Sequence, residues 1–171
     1  AHTVIIATGA SAKWLGLESE QKFRSIGGVS ACAVCDGFFY RGKEVAIVGA
    51  GDTACEEATY LAKLCKRVYM IVRRGEGEMR ASKTMQKRVM DTPNIEVLWD
   101  SETREVCGNE MGVTGATIVN VKTEVERQLT VFGFFVAIGH KPNTDVFKDW
   151  LDMDETGYIQ TIPGTSKTNV P

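Results

Sequence analysis

Alternating runs of apolar and polar residues divide the chain into short strands and helices. Continuous apolar runs predict strands at residues 4–7, Glu44–Val48 and 67–72, and an Ala-, Glu- and Leu-rich stretch at 53–66 predicts a helix between the last two. A strand, a helix and a second strand within about 30 residues form a right-handed parallel crossover. We therefore expect a parallel sheet at the centre of the fold.

The pattern changes after residue 90, where short strands replace the long apolar runs. The predicted elements are a helix at 82–90, strands at 95–99, 103–107, 115–122, 127–131 and 132–138, a helix at 144–150 and a strand at 158–161. Three of these strands are interpreted as an antiparallel meander, and an amphipathic stretch lies near 15–23. The predicted fold class is α/β, with a parallel core and an inserted antiparallel ribbon.

Composition narrows the function classes without selecting one. The 171 residues are 43% hydrophobic and 25% charged, as in ordinary globular proteins. Because 20 Lys and Arg oppose 22 Asp and Glu, the net charge of -2 gives no bulk attraction to nucleic acid. No apolar run reaches the ~18 residues of a membrane span. The first residues run at once into an apolar strand without Met, and we expect a piece of a longer protein.

Five cysteines, an odd number without a secretory signal, argue against a disulfide-stapled extracellular scaffold. Cys32 and Cys35 form a C-x-x-C pair. A structural zinc site would need a second pair or two histidines at similar spacing, and His2 and His140 are isolated. The other three, expected to be buried as small apolar side chains, are Cys55, Cys65 and Cys107.

A glycine-rich motif, G-A-G-D-T-A at residues 49–54, lies between the second predicted strand and the helix that follows it. In this position Gly49 permits the tight turn, Gly51 lets the backbone approach a pyrophosphate, and Ala54 keeps helix and strand close. The helix N-terminus then faces the phosphates. The alternative is a plain glycine-rich turn, and the context favours a dinucleotide site.

Basic residues follow the next predicted strand, where an NAD site usually has an acidic residue. Arg73 and Arg74 stand there, with Arg80 close behind. Guanidinium groups bind a 2′-phosphate through charge-assisted hydrogen bonds, whereas an acid would repel it. A solvated basic loop is the alternative, but the spacing from the glycine motif favours NADP(H).

The motif C-A-V-C-D-G at residues 32–37 carries the chain's redox chemistry in our interpretation. Its two thiols are close enough for an intramolecular disulfide, and Asp36 can supply or take a proton during thiolate exchange. Half a metal site and two ordinary buried cysteines are the alternatives. Hydride transfer and dithiol exchange need a mediator, and chemistry alone leads us to expect a flavin.

Taken together, these motifs resemble the low-molecular-weight thioredoxin reductases, in family order and over nearly the whole chain. The matching segments are A-T-G-A at 7–10, C-A-V-C-D-G at 32–37, G-A-G-D-T-A at 49–54, Arg73-Arg74, R-A-S-K at 80–83 and A-I-G-H-K-P-N-T at 137–144.

The resemblance implies a Rossmann-like, three-layer NADPH-binding domain at 25–144 with an antiparallel β-ribbon, flanked by pieces of an FAD-binding domain at 1–24 and 145–171. It implies electron transfer from NADPH through FAD to the Cys32–Cys35 dithiol and on to thioredoxin. It further implies a homodimer in the cytoplasm, with an organellar form also possible. The family's N-terminal flavin motif is absent here, so we expect this portion to be inactive alone.

The resemblance also implies residue roles. Cys35 would lie against the flavin, Cys32 would attack the thioredoxin disulfide, and Asp36 would be the acid and base. The residues implied to bind NADPH are Gly49, Gly51, Asp52, Thr53, Arg73, Arg74, Arg80, Ile138 and Tyr158, with Thr8 and Gly9 on the FAD side and no metal ligands.

Two departures from the family pattern concern the phosphate site. Val72 stands where the family usually has histidine. The loop 75–79 is longer than usual, which affects the contact expected of Arg80 and adds Glu76 and Glu78 near the phosphate site. Three rivals stay open: a flavoprotein of the alkyl hydroperoxide reductase type, a non-catalytic NADP(H)-binding redox sensor, and a zinc-binding interaction domain.

Overall fold

The computed structural model describes residues 2–170, which form two compact units. One unit runs from Trp14 to Gly139, and the other joins the segment up to Lys13 with the segment that starts at His140. Within the described residues, no helix is both long and apolar enough to cross a membrane.

The secondary structure of the described residues consists of short elements. The strands are β1 (Ala10–Ala12), β2 (Val29–Ser30), β3 (Glu44–Val48), β4 (Arg67–Ile71), β5 (Ile95–Leu98), β6 (Ser101–Asn109), β7 (Gly112–Asn120), β8 (Glu126–Leu129), β9 (Gly133–Val136) and β10 (His140–Pro142). The α-helices are α1 (Glu18–Ile26), α2 (Ala33–Asp36), α3 (Asp52–Ala62) and α4 (Lys83–Met90), with 3₁₀ turns at Gly37–Tyr40 and Asp145–Phe147.

A parallel sheet lies at the centre of the larger unit. Its strands follow the order β2-β9-β3-β4-β5, and each neighbouring pair is parallel. Val45 and Ile47 of β3 face one core cluster and Ala46 faces the other, because successive side chains of a strand point to opposite faces. Both faces of the sheet are therefore covered, which explains the continuous apolar runs in the sequence.

The first face is covered by α3, which connects β3 to β4. Ala54, Ala58 and Leu61 repeat at helical spacing and are fully buried against Val45 and Ile47. Burial of a leucine side chain contributes about 1.5–3 kcal/mol. This crossover confirms the parallel strand–helix–strand unit, although the helix ends at Ala62 and not at residue 66, because the chain tightens into a turn there.

The second face is covered by an antiparallel ribbon, β6-β7-β8, which confirms the predicted meander. Phe23 of α1 is 2% exposed and belongs to the same core cluster as Val106 and Val113 of the ribbon. A Cβ on Gly108 would lie 2.6 Å from the Phe23 ring, so glycine is required at this contact. The α/β prediction, with helices, parallel sheet and ribbon in three layers, is confirmed.

The strand predicted at residues 4–7 is wrong for the described structure. The first strand is β1, which pairs antiparallel with β10 inside the smaller unit. Val4 and Ile5 are 76% and 92% exposed, so an apolar run that looks like a buried strand has no pairing partner among the described residues. An unpaired strand leaves its backbone groups to water, and the segment stays irregular.

The two elements predicted near the end of the chain are also shorter than expected. Residues 144–150 contain one 3₁₀ turn, Asp145–Phe147, and residues 158–161 contribute only a bridge from Ile159 to Met153. Asp154 explains the second difference, because its Oδ1 accepts hydrogen bonds from the N–H groups of Thr156 and Tyr158 at 2.8 and 3.0 Å. Such a side-chain-capped turn replaces a strand ladder.

Candidate functional site

A pocket of about 630 Å³ opens at the carboxyl ends of the central strands in the larger unit. Val48, Ile71 and Ala137, which end or follow β3, β4 and β9, form part of its lining. Open α/β sheets bind their ligands at this edge, and the volume lies in the range of cofactor sites. The pocket is therefore the candidate nucleotide site.

The glycine turn between β3 and α3 forms one side of the pocket. Gly49 has φ +147°, and a Cβ there would lie 2.3 Å from the Ala137 carbonyl oxygen, so glycine is required. Gly51 faces open space and is the N-cap of α3, with no side chain to satisfy the first N–H groups of the helix. Those groups and the helix dipole suit an anion such as a pyrophosphate.

Three arginines line the same pocket: Arg73, Arg74 and Arg80. The first two follow Val72, which is fully buried in the core. The family position that usually holds histidine is thus filled here by a packing residue. In the longer loop, the Glu78 carboxylate accepts a hydrogen bond from the Gly75 N–H at 2.8 Å. This carboxylate therefore binds the backbone of its own loop.

The other predicted nucleotide contacts divide into two groups. Thr53 and Ile138 line the pocket. Asp52 instead accepts a hydrogen bond from the Ser82 N–H at 2.8 Å through Oδ1 and ties the start of α3 to the start of α4. Tyr158 belongs to the smaller unit, where its N–H binds Asp154 and its side chain is exposed.

Several pocket residues were not predicted from the sequence. They are Leu15 and Leu17, which precede α1, and Ser101, Glu102 and Thr103 at the start of β6. Glu102 approaches Arg73, with 3.8 Å between Oε1 and Nε. No motif marks these positions, because they reach the pocket only through the packing of α1 and the ribbon.

A buried carboxylate holds the leucine segment in place. Glu20 of α1 is 2% exposed, and its two oxygens accept hydrogen bonds from the N–H groups of Leu15 and Gly16, each at 2.9 Å. Two such bonds to a buried carboxylate satisfy its charge and fix the backbone.

Cys32 and Cys35 are joined by a disulfide, with 5.3 Å between their Cα atoms. Cys32 is the N-cap of α2, and its Sγ accepts a hydrogen bond from the Cys35 N–H at 3.2 Å. Cys35 is exposed and Cys32 is half-buried. The intramolecular disulfide predicted from the spacing is confirmed.

Asp36 lies directly beside the disulfide turn and is held by a serine. Its Oδ2 accepts a hydrogen bond from Ser30 Oγ at 2.5 Å. The same Ser30 oxygen accepts a bond from the Cys32 N–H at 3.0 Å. Ser30 was missed by the sequence reasoning, since a serine at a strand end carries no signal of its own. The arrangement places a hydrogen-bonded carboxylate in the same turn as the disulfide.

The other cysteines behave as packing residues. Cys55 and Cys65 are buried, and burial raises the pKa of each thiol to about 11, with the Asp52 charge adding to the effect at Cys55. Cys107 is half-buried, less than predicted, with its Sγ 3.6 Å from Thr117 Oγ1. Within residues 2–170, no group of three or more His, Cys, Asp or Glu side chains is placed to hold a metal ion.

Thr8 and Gly9, the residues predicted on the FAD side, lie in the smaller unit. Their carbonyl oxygens accept hydrogen bonds from the Asn143 side-chain amide and backbone N–H, at 3.1 and 2.9 Å. Asn143 thereby joins the segment before β1 to the end of β10.

Comparison with known proteins gives consistent matches. The profile of the family described as Pyridine nucleotide-disulphide oxidoreductase matches residues 1–171. The chain is 51% identical to a thioredoxin reductase of Dictyostelium discoideum over 172 residues, which are 99% of this chain and 53% of that protein. It is 46% identical to a thioredoxin reductase of Coxiella burnetii, covering 98% of this chain and 54% of that protein.

The solved structures agree. The thioredoxin reductase from Giardia duodenalis superimposes with a TM-score of 0.82 at 43% identity, over 95% of this chain and 52% of that chain. The present chain thus spans about half the length of the relatives it matches. The resemblance inferred from the motifs is confirmed.

Proposed function

Because the chain belongs to the pyridine nucleotide-disulphide oxidoreductase family, we propose that it forms the NADPH-binding, dithiol-bearing portion of a thioredoxin-disulfide reductase. One observation carries this proposal: a pocket lined by three arginines and a disulfide next to an aspartate lie in one compact unit. In the overall reaction NADPH is oxidised by two electrons, and the thioredoxin disulfide becomes a dithiol.

The pocket supports NADPH as the electron donor. Gly49 and Gly51 leave the turn open to a pyrophosphate, and the start of α3 offers unpaired N–H groups to it. Arg73, Arg74 and Arg80 supply positive charge that suits a 2′-phosphate. NADH lacks that phosphate, so the arginines favour NADPH.

The dithiol supports the second half of the reaction. The reduced Cys32 thiolate attacks one sulfur of the thioredoxin disulfide, which forms a mixed disulfide and releases one thioredoxin thiolate. Asp36 returns a proton to that thiolate. The Cys35 thiol then loses its proton and attacks Cys32, which closes the Cys32–Cys35 disulfide, and the second thioredoxin thiolate takes up that proton as it leaves.

FAD belongs to the proposal as a group held by the rest of a longer protein. Bound there, it supplies the conversion of a hydride into electrons for the disulfide. The residues described here offer one nucleotide cradle, and its arginines fit NADPH, so we derive no step through the flavin.

The proposed domain division is an NADPH-binding domain at 25–144 with FAD-domain portions on either side. The compact unit from Trp14 to Gly139 supports such a division, although α1 belongs to its core through Phe23. A homodimer in a reducing compartment such as the cytoplasm completes the proposal.

Binding and transfer can be tested separately on the 171-residue chain. Isothermal titration should give an NADPH affinity at least about tenfold tighter than that for NADH, from charge-assisted bonds to the phosphate. The pre-reduced chain should reduce one equivalent of oxidised thioredoxin, yet sustain no NADPH-driven turnover. Equal affinity for the two nucleotides, or sustained turnover without added flavoprotein, contradicts the proposal.

A matched pair of cysteine variants tests the assigned roles. Cys35→Ser should trap thioredoxin as a mixed disulfide with Cys32, because the thiol that would release it is gone. Cys32→Ser should trap none. Trapping by Cys32→Ser would exchange the roles of the two cysteines, whereas transfer only to an acceptor other than thioredoxin would favour the alkyl hydroperoxide reductase type.

A further inference from the structure

The Ser30 hydroxyl contacts the backbone of Cys32 and the carboxylate of Asp36, the two residues that carry the proposed exchange chemistry. Ser30 ends β2 and pairs with Phe135 of β9, so the central sheet fixes its backbone. Its Oγ is 3.0 Å from the Cys32 nitrogen and 2.5 Å from Asp36 Oδ2. The Ser30 side chain, whose backbone is held by the sheet, therefore forms hydrogen bonds with both the Cys32 backbone and the Asp36 carboxylate.

A third contact gives the Ser30 hydroxyl a second oxygen to which it can donate its proton in a hydrogen bond. Ser30 Oγ is also 3.4 Å from the Cys32 carbonyl oxygen. A hydroxyl carries a single proton, and an ionised carboxylate can only accept. With Asp36 charged, the Ser30 proton points to Oδ2. With Asp36 protonated, the carboxyl itself can donate to Ser30 Oγ, and the Ser30 proton turns to the Cys32 carbonyl.

We propose that Ser30 is a positioning residue that aims Asp36 at Cys32 and exchanges hydrogen-bond partners as Asp36 gains or loses its proton. This inference rests on the proposed function, in which Asp36 is the acid and base of thiol–disulfide exchange. It adds the group that keeps the carboxyl in place through both protonation states.

The step in which Ser30 acts is balanced. Asp36 takes the proton of the Cys32 thiol, and the thiolate attacks a substrate disulfide R–S–S–R. A Cys32–S–S–R bond forms, the R–S–S–R bond breaks, and Asp36 returns its proton to the departing thiolate. The Cys35 thiol then loses its proton and attacks Cys32: a Cys32–Cys35 bond forms, the Cys32–S–R bond breaks, and the second R–S⁻ takes up that proton. The dithiol thus loses two electrons and the substrate gains them.

The neighbouring titratable groups do not replace Ser30. Tyr40, from the 3₁₀ turn after α2, has a pKa raised by burial and by the Asp36 charge, so it stays a neutral phenol. Glu57, from α3, has a pKa raised mainly by burial, with the Ala33 N–H opposing that shift and exposed Glu56 adding to it. Ser30 is the side chain whose hydrogen bond to the Asp36 carboxylate the structure records.

The test compares two small disulfides and needs neither NADPH nor thioredoxin. Hydroxyethyl disulfide releases a basic thiolate that requires a proton, whereas 5,5′-dithiobis(2-nitrobenzoate) releases a weakly basic thiolate that leaves unaided. For the reduced chain, Ser30→Ala should slow reduction of hydroxyethyl disulfide about tenfold, a part of the usual acid–base contribution. Its rate with the aromatic disulfide should fall clearly less, because that leaving thiolate needs no proton and only the deprotonation of Cys32 still depends on Asp36.

Further variants separate positioning from general loosening of the turn. Ser30→Thr keeps the hydroxyl and should retain the wild-type rates. Ser30→Val has nearly the shape of threonine but no hydroxyl, and it should show the selective slowing expected of Ser30→Ala. The threonine–valine pair carries the test if the alanine variant does not fold. Ser25→Ala, at an exposed serine of α1, is the matched control. In an Asp36→Asn background, Ser30→Ala should have no further effect, because groups that act together are not additive.

The outcomes are decisive for Ser30. Equal slowing with both disulfides, additive effects of Ser30 and Asp36, or failure of threonine to retain the rate overturns the proposal, as does a wild-type chain that cannot reduce hydroxyethyl disulfide. If the leaving-group contrast holds but the chain neither prefers NADPH nor reduces thioredoxin, the proposed function fails and the role of Ser30 stands.

Discussion

The nucleotide pocket and the dithiol turn lie in the same unit but are built in opposite ways. The pocket draws its lining from distant parts of the chain, from Leu15 to Gly139. The dithiol turn is local: Ser30, Cys32, Cys35 and Asp36 bind one another over a few residues. The pocket therefore depends on the packing of the sheet, whereas the turn depends on short-range hydrogen bonds.

This difference predicts where substitutions act. A change in the pocket can alter the fold and binding together, because its glycine turn is packed against β9. A change in the dithiol turn should alter chemistry with little effect on the fold, because Cys35 and its neighbour Val34 are exposed.

The largest expected effect is from Gly49→Ala. The new Cβ would lie 2.3 Å from the Ala137 carbonyl oxygen and 2.8 Å from the Ala54 Cβ, at a backbone φ of +147°. Strain and overpacking together should cost about 2–4 kcal/mol in the free energy of unfolding, measured by urea denaturation. A wild-type stability would contradict the close approach of α3 to β9.

Gly51→Ala is the matched control in the same turn. Nothing lies within 4 Å of the position its Cβ would take, and its φ is ordinary, so stability should fall by less than about 1 kcal/mol. NADPH affinity should still drop sharply, because the methyl group occupies the cradle. Unchanged affinity would place the pyrophosphate elsewhere.

The next largest effect concerns the arginines. Replacing Arg73 and Arg74 by alanine removes two exposed charges and should leave the unfolding midpoint within error. The affinity for NADPH should fall about tenfold or more, because a charge-assisted hydrogen bond contributes about 1.5–3 kcal/mol. The affinity for NADH should change little. A parallel loss for both nucleotides would refute the 2′-phosphate role.

The same contrast explains what could be predicted from the sequence. β3 was predicted at its observed bounds, and the C-x-x-C pair forms the expected disulfide, because both signals are contained in consecutive residues. Glu102 and Leu15 carried no such signal, since they approach the pocket only after the ribbon and α1 have packed. The strand expected at residues 4–7 failed for a related reason: an apolar run does not say which strand will pair with it.

Glu57 lies on α3, the helix that begins at the pocket, and its carboxyl lies beside the Ala33 N–H of the dithiol turn. Its Oε2 is buried without a hydrogen-bond partner among the described residues, and burial raises its pKa. A group that binds its proton more tightly when folded costs no stability below the unfolded pKa, about 4.3. Its cost appears as the pH rises through the folded pKa.

Glu57→Gln should therefore raise the thermal midpoint at pH 7.5, because it removes the charge whose burial is unfavourable there. The gain should vanish near pH 3.5, where the carboxyl is protonated in both states. Glu56→Gln, at the exposed neighbouring position, is the control and should give a smaller shift. A gain that is equal at both pH values would assign the effect to packing instead of charge.

A substitution of Glu102 should give the smallest effect on NADPH affinity, and it tests how residues from distant parts of the chain act together in the pocket. Its carboxylate lies 3.8 Å from Arg73 and is the acidic group of the pocket lining. A phosphate bound by Arg73 must compete with it, but both side chains are about half exposed or more, so water and salt screen the competition. Glu102→Gln should therefore tighten NADPH only about twofold, a gain that shrinks in high salt and is absent for NADH. Weaker NADPH binding in this variant would mean that Glu102 orients Arg73 toward the phosphate and does not compete with the phosphate for Arg73. Calorimetric titration of the variant with NADPH at two salt concentrations distinguishes competition from orientation.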